Sequence, residues 1–415
     1  MRIAIIGSGI AGLTSAYLLH RRHDIQLFEA SDWVGGHTHT VDVEVGGRRH
    51  AIDTGFIVFN DWTYPNFIRL LDQLGVGYRP TEMSFSVSDP RSGVEYNGHS
   101  LNSLFAQRRN LLSPAFLGMV RDILRFNREA LADLEHGRLD ADTRLGQYLA
   151  QRGYGQRFID HYIVPMGAAI WSMSLAAMLD FPLQFFLRFF KNHGLLSVSE
   201  RPQWCVVEGG SRSYVPALSA GFRERIRLNC PVNRVERDAE GVTLHTPAGR
   251  QRFDKVVLAC HSDQALALLA EPSQAERQVL GALRYADNDV VLHTDTRLLP
   301  SRPLAWASWN YRLGGPASQP AAVTYNMNIL QGLASDTTFC VSLNQTALID
   351  PAQILARYRY AHPQYSLAGL AAQARWQELQ GAQHSYYCGA YWANGFHEDG
   401  VVSALRVGRL FGEEL

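Results

Sequence analysis

Apolar positions along the chain follow three successive patterns. Ile3–Ile6 is a continuous apolar run closed by Gly7, which predicts a buried parallel strand. From Leu13 to Arg22 the spacing turns helical, and Ile25–Phe28 is a second apolar run ending at Glu29. Together they predict a βαβ unit. Helical periodicity then dominates Pro65–Leu74, about Leu104–Glu135, and Gln156–Asn192. After Arg201 the pattern shortens to strand-like runs at Trp204–Val207, Ile226–Leu228, Val232–Arg237, Val242–Thr246 and Val256–Ala259. Asp289–Thr294, Ala321–Asn326, Phe339–Leu343 and Ser385–Cys388 continue it, and a closing helix is expected from about Gly400. No repeat or low-complexity linker separates these blocks, so the chain is expected to cross several times between interleaved domains.

At 415 residues and 46% hydrophobic content, two domains with a large shared core are expected. Lys+Arg and Asp+Glu both number 39, and the zero net charge removes the electrostatic case for a nucleic-acid partner. Only Lys191 and Lys255 are lysine. The five cysteines have no Cys-x-x-Cys spacing and read as buried hydrophobes of a reducing compartment, with no metal site. Arg2 and the apolar stretch to Leu19 imitate a signal peptide. Interruption by spaced glycines and the lack of a small-x-small site predict that the segment is structural. Ile163–Leu179 contains Pro165 and is too short and interrupted for a membrane span. A soluble cytoplasmic protein is expected.

Gly7-Ser8-Gly9-Ile10-Ala11-Gly12 lies between the first strand and the first helix. Gly7 permits the tight turn, Gly9 admits a pyrophosphate, and Gly12 lets helix and strand pack closely, with the helix N-terminus facing the phosphates. Glu29, followed by Ala30, ends the second strand, where a ribose hydroxyl can be bound. This spacing suits FAD or NAD equally. Ser31 to Thr38, with Gly35, Gly36 and His37, then resembles the acidic-x-x-x-Gly-Gly signature of the flavin-containing amine oxidase superfamily. Asp53-Thr54-Gly55-Phe56 resembles the segment that passes the flavin ring. Glu208–Leu218, Pro231–Val235 with Val232 toward the adenine, and Asp254–Ala259 resemble later family segments. Cys388-Gly389-Ala390 and Gly395-Phe396-His397-Glu398-Asp399-Gly400 resemble the segment under the isoalloxazine. The resemblance implies an α/β fold with a Rossmann-like FAD domain (residues 1–80, 201–270 and 381–415), glutathione reductase-like in type. An interleaved α+β substrate domain (81–200 and 271–380) and noncovalent FAD are implied with it. Met83–Ser88, Leu104–Gln107 and Pro165–Ser172 are further similar to bacterial FAD-binding oxidoreductases and to the N-terminal part of plant cyclopropane-fatty-acid synthases. That similarity implies fatty acyl chemistry beside a lipid methyltransferase partner.

Two departures weigh against simple amine oxidation. The stretch Tyr285–His293, where many relatives carry a lysine near flavin N5, holds Asp287, Asn288 and Asp289 instead. Tyr391 stands where the family usually has an acidic residue. His293 is a candidate acid–base group, His37 and His397 are cofactor contacts or catalysts, and Phe396 is a wall beside N5. Glu398 and Asp399 read as helix caps or a proton relay. Trp171, Trp309 and Trp392 are candidate pocket walls. The phenylalanine-rich run Phe181–Lys191 reads as core, or as a tunnel wall or membrane-surface patch with Arg188 and Lys191 meeting headgroups. The expected function is hydride transfer to or from flavin N5 on an acyl or other lipid substrate. The alternatives are amine oxidation without the lysine, or a non-catalytic FAD protein serving a methyltransferase. An NAD(P)H reductase lacks a second glycine-rich βαβ unit.

Overall fold

The computed structural model describes all 415 residues. Five parallel strands form one sheet in the spatial order Ile226–Arg227, Asp24–Phe28, Arg2–Ile6, Lys255–Leu258, Ser385–Tyr387. Arg2–Ile6 sits in the middle, which is why its apolar run is uninterrupted: both faces are covered and Ile3, Ala4 and Ile5 are fully buried. The first helix, Ile10–Leu19, and the closing helix, His397–Leu410, pack against each other. Two glycines of the closing helix make that approach possible. A Cβ on Gly400 would lie 2.7 Å from Ile10, and one on Gly408 would lie 2.7 Å from Leu18. An antiparallel meander, Arg234–Asp238, Gly241–Thr246 and Gly249–Phe253, flanks this sheet.

The second sheet has seven strands in the order Ile354–Gln364, Arg284–His293, Cys340–Leu343, Val323–Asn326, Trp309–Arg312, Phe85–Asp89, Val94–Asn97. Its long edge pair differs from the sequence reading. Arg284–His293 begins five residues before the predicted Asp289 because Asp287 and Asp289 face water, opposite Arg359 and Arg357, and so imitate a turn cluster. Ile354–Gln364 was not expected as a strand. Its arginines alternate with inward Tyr358, Tyr360 and His362, and Pro363 is tolerated because the strand is at the sheet edge.

Helices Pro114–Glu135, Leu145–Gln151, Val164–Trp171 and Leu183–Asn192 form a layer over this sheet. A π-turn over Ile159–Ile163 precedes Pro165, and the His161 carbonyl that proline leaves without a helical donor accepts the Tyr96 hydroxyl at 2.6 Å. In Leu183–Asn192 the side chains of Phe186, Phe189 and Phe190 are buried, while Lys191 reaches out to Glu135 at 2.9 Å. No helix is long and apolar enough to cross a membrane.

Arg237, on the meander, forms a buried ion pair with Glu276, and both side chains are 3% exposed. Glu276 also accepts the Tyr387 hydroxyl and the Ser273 amide, joining meander, helix Gln274–Ala282 and the edge of the parallel sheet. Removing one charge strands the other in the interior. Glu276→Gln is therefore expected to lower the unfolding free energy by about 3–5 kcal/mol, read by urea denaturation.

Candidate functional site: a flavin cleft between the two sheets

The glycine loop is packed backbone on backbone. Gly7, at φ +102°, donates its amide to the Phe28 carbonyl at 2.8 Å. A Cβ on Gly12 would lie 1.9 Å from the Gly7 carbonyl oxygen, so no side chain fits there. Gly9 is different: a Cβ there would meet nothing within 4 Å. It caps the helix beginning at buried Ile10 and Ala11 with no side-chain bond, so the first-turn amides are left for a ligand. Gly35 pairs with Gly9, and a Cβ on Gly36 would touch the Gly9 Cα at 3.0 Å. Glu29 lies beside the loop, accepting the Ser8 amide and hydroxyl (2.8 and 2.6 Å) and the Ser31 amide and hydroxyl (2.9 and 2.8 Å). Ala30 next to it is exposed, and Val232 is buried.

A second cluster gathers segments from both ends of the chain. Phe56 donates its amide to the His37 carbonyl at 2.6 Å, and Gly55 presses so closely on that carbonyl that a Cβ would lie 2.2 Å away. Phe56 also stacks on His397 at 3.6 Å and 6°. The His397 Nε2 meets the Tyr214 hydroxyl at 2.7 Å and Thr38 Oγ1 at 3.3 Å, and burial drives its pKa far down, so the ring is neutral. Thr54 binds the Tyr360 hydroxyl at 2.9 Å. Glu398 accepts the Asn66 and Phe67 amides and so caps helix Pro65–Leu74, whereas Asp399 accepts the Phe396 amide and caps its own helix. Burial pushes the Asp399 carboxyl up to about 7. Phe396 and Asp399 line a cavity of about 380 Å³ with Trp62, Asn192, His193 and Asn394. Gly389 binds Ser403 Oγ through its amide, and Ala390 starts the turn that leads to Trp392. The Cys388 thiol faces Ser15, and burial raises its pKa to about 12, consistent with a noncovalent cofactor.

His293 must be corrected. It lies at the far end of its strand, fully buried, with Nε2 on Ser342 at 2.7 Å and Nδ1 accepting the Asp295 amide at 3.1 Å. Five residues separate it from Asn288, about 16 Å along a strand. Trp309 packs on Tyr325 within the sheet at 5.1 Å, and its indole Nε1 is buried without a partner in the chain. Trp171 packs against Phe181 and Phe189, and Phe189 stacks on Phe396 at 5.2 Å. Trp392 packs on Tyr391.

The structure adds His261 and His362, which flank His37 at ring-centroid distances of 5.8 and 5.7 Å. His261 stacks on Tyr285 at 4.2 Å. Burial lowers the pKa of each added histidine to about 3, with His37 lowering both further. The tautomer of His362 follows from fixed backbone groups. The Asp289 amide donates to Asn344 Oδ1, so Asn344 Nδ2 donates to the Asn288 Oδ1 at 2.8 Å. Asn288 Nδ2 then donates to His362 Nδ1 at 3.2 Å, beside Ser172 Oγ at 2.9 Å. Nδ1 is thus an acceptor, and the proton sits on Nε2, which is left to donate to a ligand. Asn288, on the stretch that lacks a lysine, supplies the amide that aims this histidine.

Among the buried polar atoms with no partner in the chain, which also include some elsewhere in the fold, are His37 Nε2, Tyr365 Oη, Tyr391 Oη and the Nε1 atoms of Trp171, Trp309 and Trp392. Such orphans are rare unless a ligand or water satisfies them. With the open space at Gly9 and the uncapped helix start, they fit a dinucleotide cofactor with a polar ring system. The model for flavin-containing amine oxidoreductases matches residues 10–311. The chain belongs to this family. Flavin is therefore its cofactor, and FAD is the form that the glycine loop and Glu29 suit. A Mycobacterium tuberculosis protein named as a flavin-containing monoamine oxidase is 25% identical over 293 residues, 65% of this chain and 59% of that protein. This chain thus matches less than two thirds of that relative's length. Among solved structures, cyclohexylamine oxidase from Brevibacterium oxydans has a TM-score of 0.66 at 16% identity, covering 99% of both chains. A fatty acid isomerase from P. acnes has a TM-score of 0.69 at 17% identity, covering 99% of this chain and 98% of that one. These likenesses show the shared fold.

Gly9→Ala is expected to fold with wild-type stability yet lose FAD at least tenfold, since its methyl enters the open cradle. Gly12→Ala is expected to destabilise the fold itself. Flavin absorbance and thermal melts of the two variants separate these outcomes. Asn288→Asp replaces a donor with an acceptor, so ¹⁵N spectra should show the His362 proton moving from Nε2 to Nδ1.

Proposed function

We propose that the chain is an FAD-dependent oxidoreductase that transfers hydride between flavin N5 and an apolar long-chain acyl or other lipid substrate. The observation that carries this reading is the aromatic wall behind Phe396. It runs through Phe189 and Trp171 to Phe181, Phe185 and Tyr365, with neighbouring ring centroids 4.5–6.4 Å apart. Those rings are largely buried together, so the side of the cleft behind Phe396 is apolar, and an apolar side rewards burial of methylenes at about 0.8 kcal/mol each. The stretch Tyr285–His293, where the resemblance places a lysine in many relatives, holds none. The likeness to a fatty acid isomerase supports the same substrate class.

When bound, the flavin accepts or returns a hydride at N5. The chain's own groups do the rest. The His362 Nε2–H gives a fixed donor at the cleft, Phe396 closes one side, and the aromatic wall excludes water. Forming a C=C bond removes a proton as well as a hydride. Asp399, poised near 7 in the cavity beside Phe396, is the group suited to take that proton.

Anaerobic titration of the FAD-loaded protein tests the reading. Acyl lipids are expected to bleach the flavin band, and Asp399→Asn to slow that bleaching at least tenfold. Bleaching by amines alone would replace it with amine oxidation. A flavin reduced by neither would favour the partner-serving role.

A further inference from the structure

Five of the fourteen large hydrophobic side chains that the protein exposes lie within one stretch of 24 residues: Leu101, Leu111, Leu112, Leu117 and Leu124. Leu112 is the extreme, at 87% exposure. Leu111 and Leu112 end the short 3₁₀ turn Arg108–Leu112, directly before helix Pro114–Glu135. On that helix Leu117, Arg121, Leu124 and Arg128 are spaced by four, three and four residues, so they form one outward stripe in which leucine and arginine alternate. The side chains of Arg121 and Arg128 are 75% and 77% exposed, and Arg108 and Arg109 are exposed on the turn. Asp122, the one acid between residues 101 and 128, is turned inside and reaches Arg121 at 3.4 Å, and Glu129, just past the stripe and partly covered, lies 4.0 Å from Arg128.

We propose that this turn and stripe dock the protein on an anionic phospholipid bilayer, with Leu111 and Leu112 entering the acyl boundary and the arginines meeting phosphates. Two observations choose this occupant. Apolar tips interleaved with arginine, with four exposed arginines against one partly covered carboxylate, complement an anionic, apolar surface. A protein partner would bring acids of its own to one arginine at a time. The inner face of the same helix, through Phe116, Met119 and Phe126, joins the aromatic core that also contains Phe186, Phe189 and Trp171. One helix therefore separates the proposed bilayer contact from the proposed substrate wall. The inference rests on the lipid reading of that wall, but its test does not.

Flotation of the FAD-loaded protein with vesicles measures docking without turnover. Binding is expected to vesicles of phosphatidylcholine mixed with phosphatidylglycerol and to fall with added salt. Phosphatidylcholine alone should bind weakly. Leu111→Asp/Leu112→Asp should cut binding at least about tenfold, and each of Arg121→Glu and Arg128→Glu by about fivefold or more. Flavin absorbance shows that each variant is folded. Equal flotation of wild type and the double aspartate variant would overturn the proposal. So would salt-insensitive binding, or a dimer in vesicle-free solution that the double variant dissolves. Vesicle binding with a flavin that acyl lipids never bleach would leave the surface standing and remove the substrate assignment.

Discussion

Everything at this site depends on one close backbone contact. The loop around Gly7, Gly9 and Gly12 is pressed against Gly35 and Gly36, backbone to backbone at Gly9 and through Ser8 Oγ, which accepts the Gly35 amide at 3.2 Å. That contact joins the first βαβ unit to the segment carrying His37 and Thr38, and so fixes where a cofactor's phosphates and its ring end must both lie. It also explains the economy of the loop. Gly12 is sterically required by the fold, whereas Gly9 faces empty space and is required only by a ligand. Alanine at Gly9 has room for its methyl and an ordinary φ of −64°, and its lower unfolded-state entropy offsets its poorer fit as a helix cap, so stability alone does not require glycine there.

The second sheet supplies the chemistry that the parallel sheet cannot. Its edge strand presents Tyr360 and His362 to the cofactor segments, and the next strand contributes Asn288 behind them. Desolvation keeps the histidines uncharged. Neutral imidazoles offer directed hydrogen bonds without adding positive charge beside a ring that must accept a hydride. The Asn344–Asn288–His362 chain supplies direction without charge.

Much of this was legible in the sequence where the signal is local. The glycine spacing, the runs Ile3–Ile6 and Ile25–Phe28, and the Gly395–Gly400 segment each carry their geometry within a few residues. Helix starts were less so: the first helix begins at Ile10, not Leu13, because the glycine loop itself forms its opening turn. The failures arise where a residue's surroundings come from distant chain. His293 was chosen for lying on the right strand, but a strand of ten residues has two ends, and only strand register tells them apart. His362 was overlooked because its strand alternates aromatic with arginine rather than apolar with polar, and ends in proline. His261 follows a strand end as an ordinary loop residue, and only the fold brings it to His37. The phenylalanine run was open to two readings, and the structure turns most of those rings inward.

A crystal structure of the FAD-loaded protein would locate the cofactor. Pyrophosphate density is expected over Gly9, and an isoalloxazine within hydrogen-bonding distance of His362 Nε2 and of the buried, unpartnered His37 Nε2, with Phe396 forming one wall. A flavin bound elsewhere, or one that leaves both ring nitrogens unpartnered, would contradict this placement.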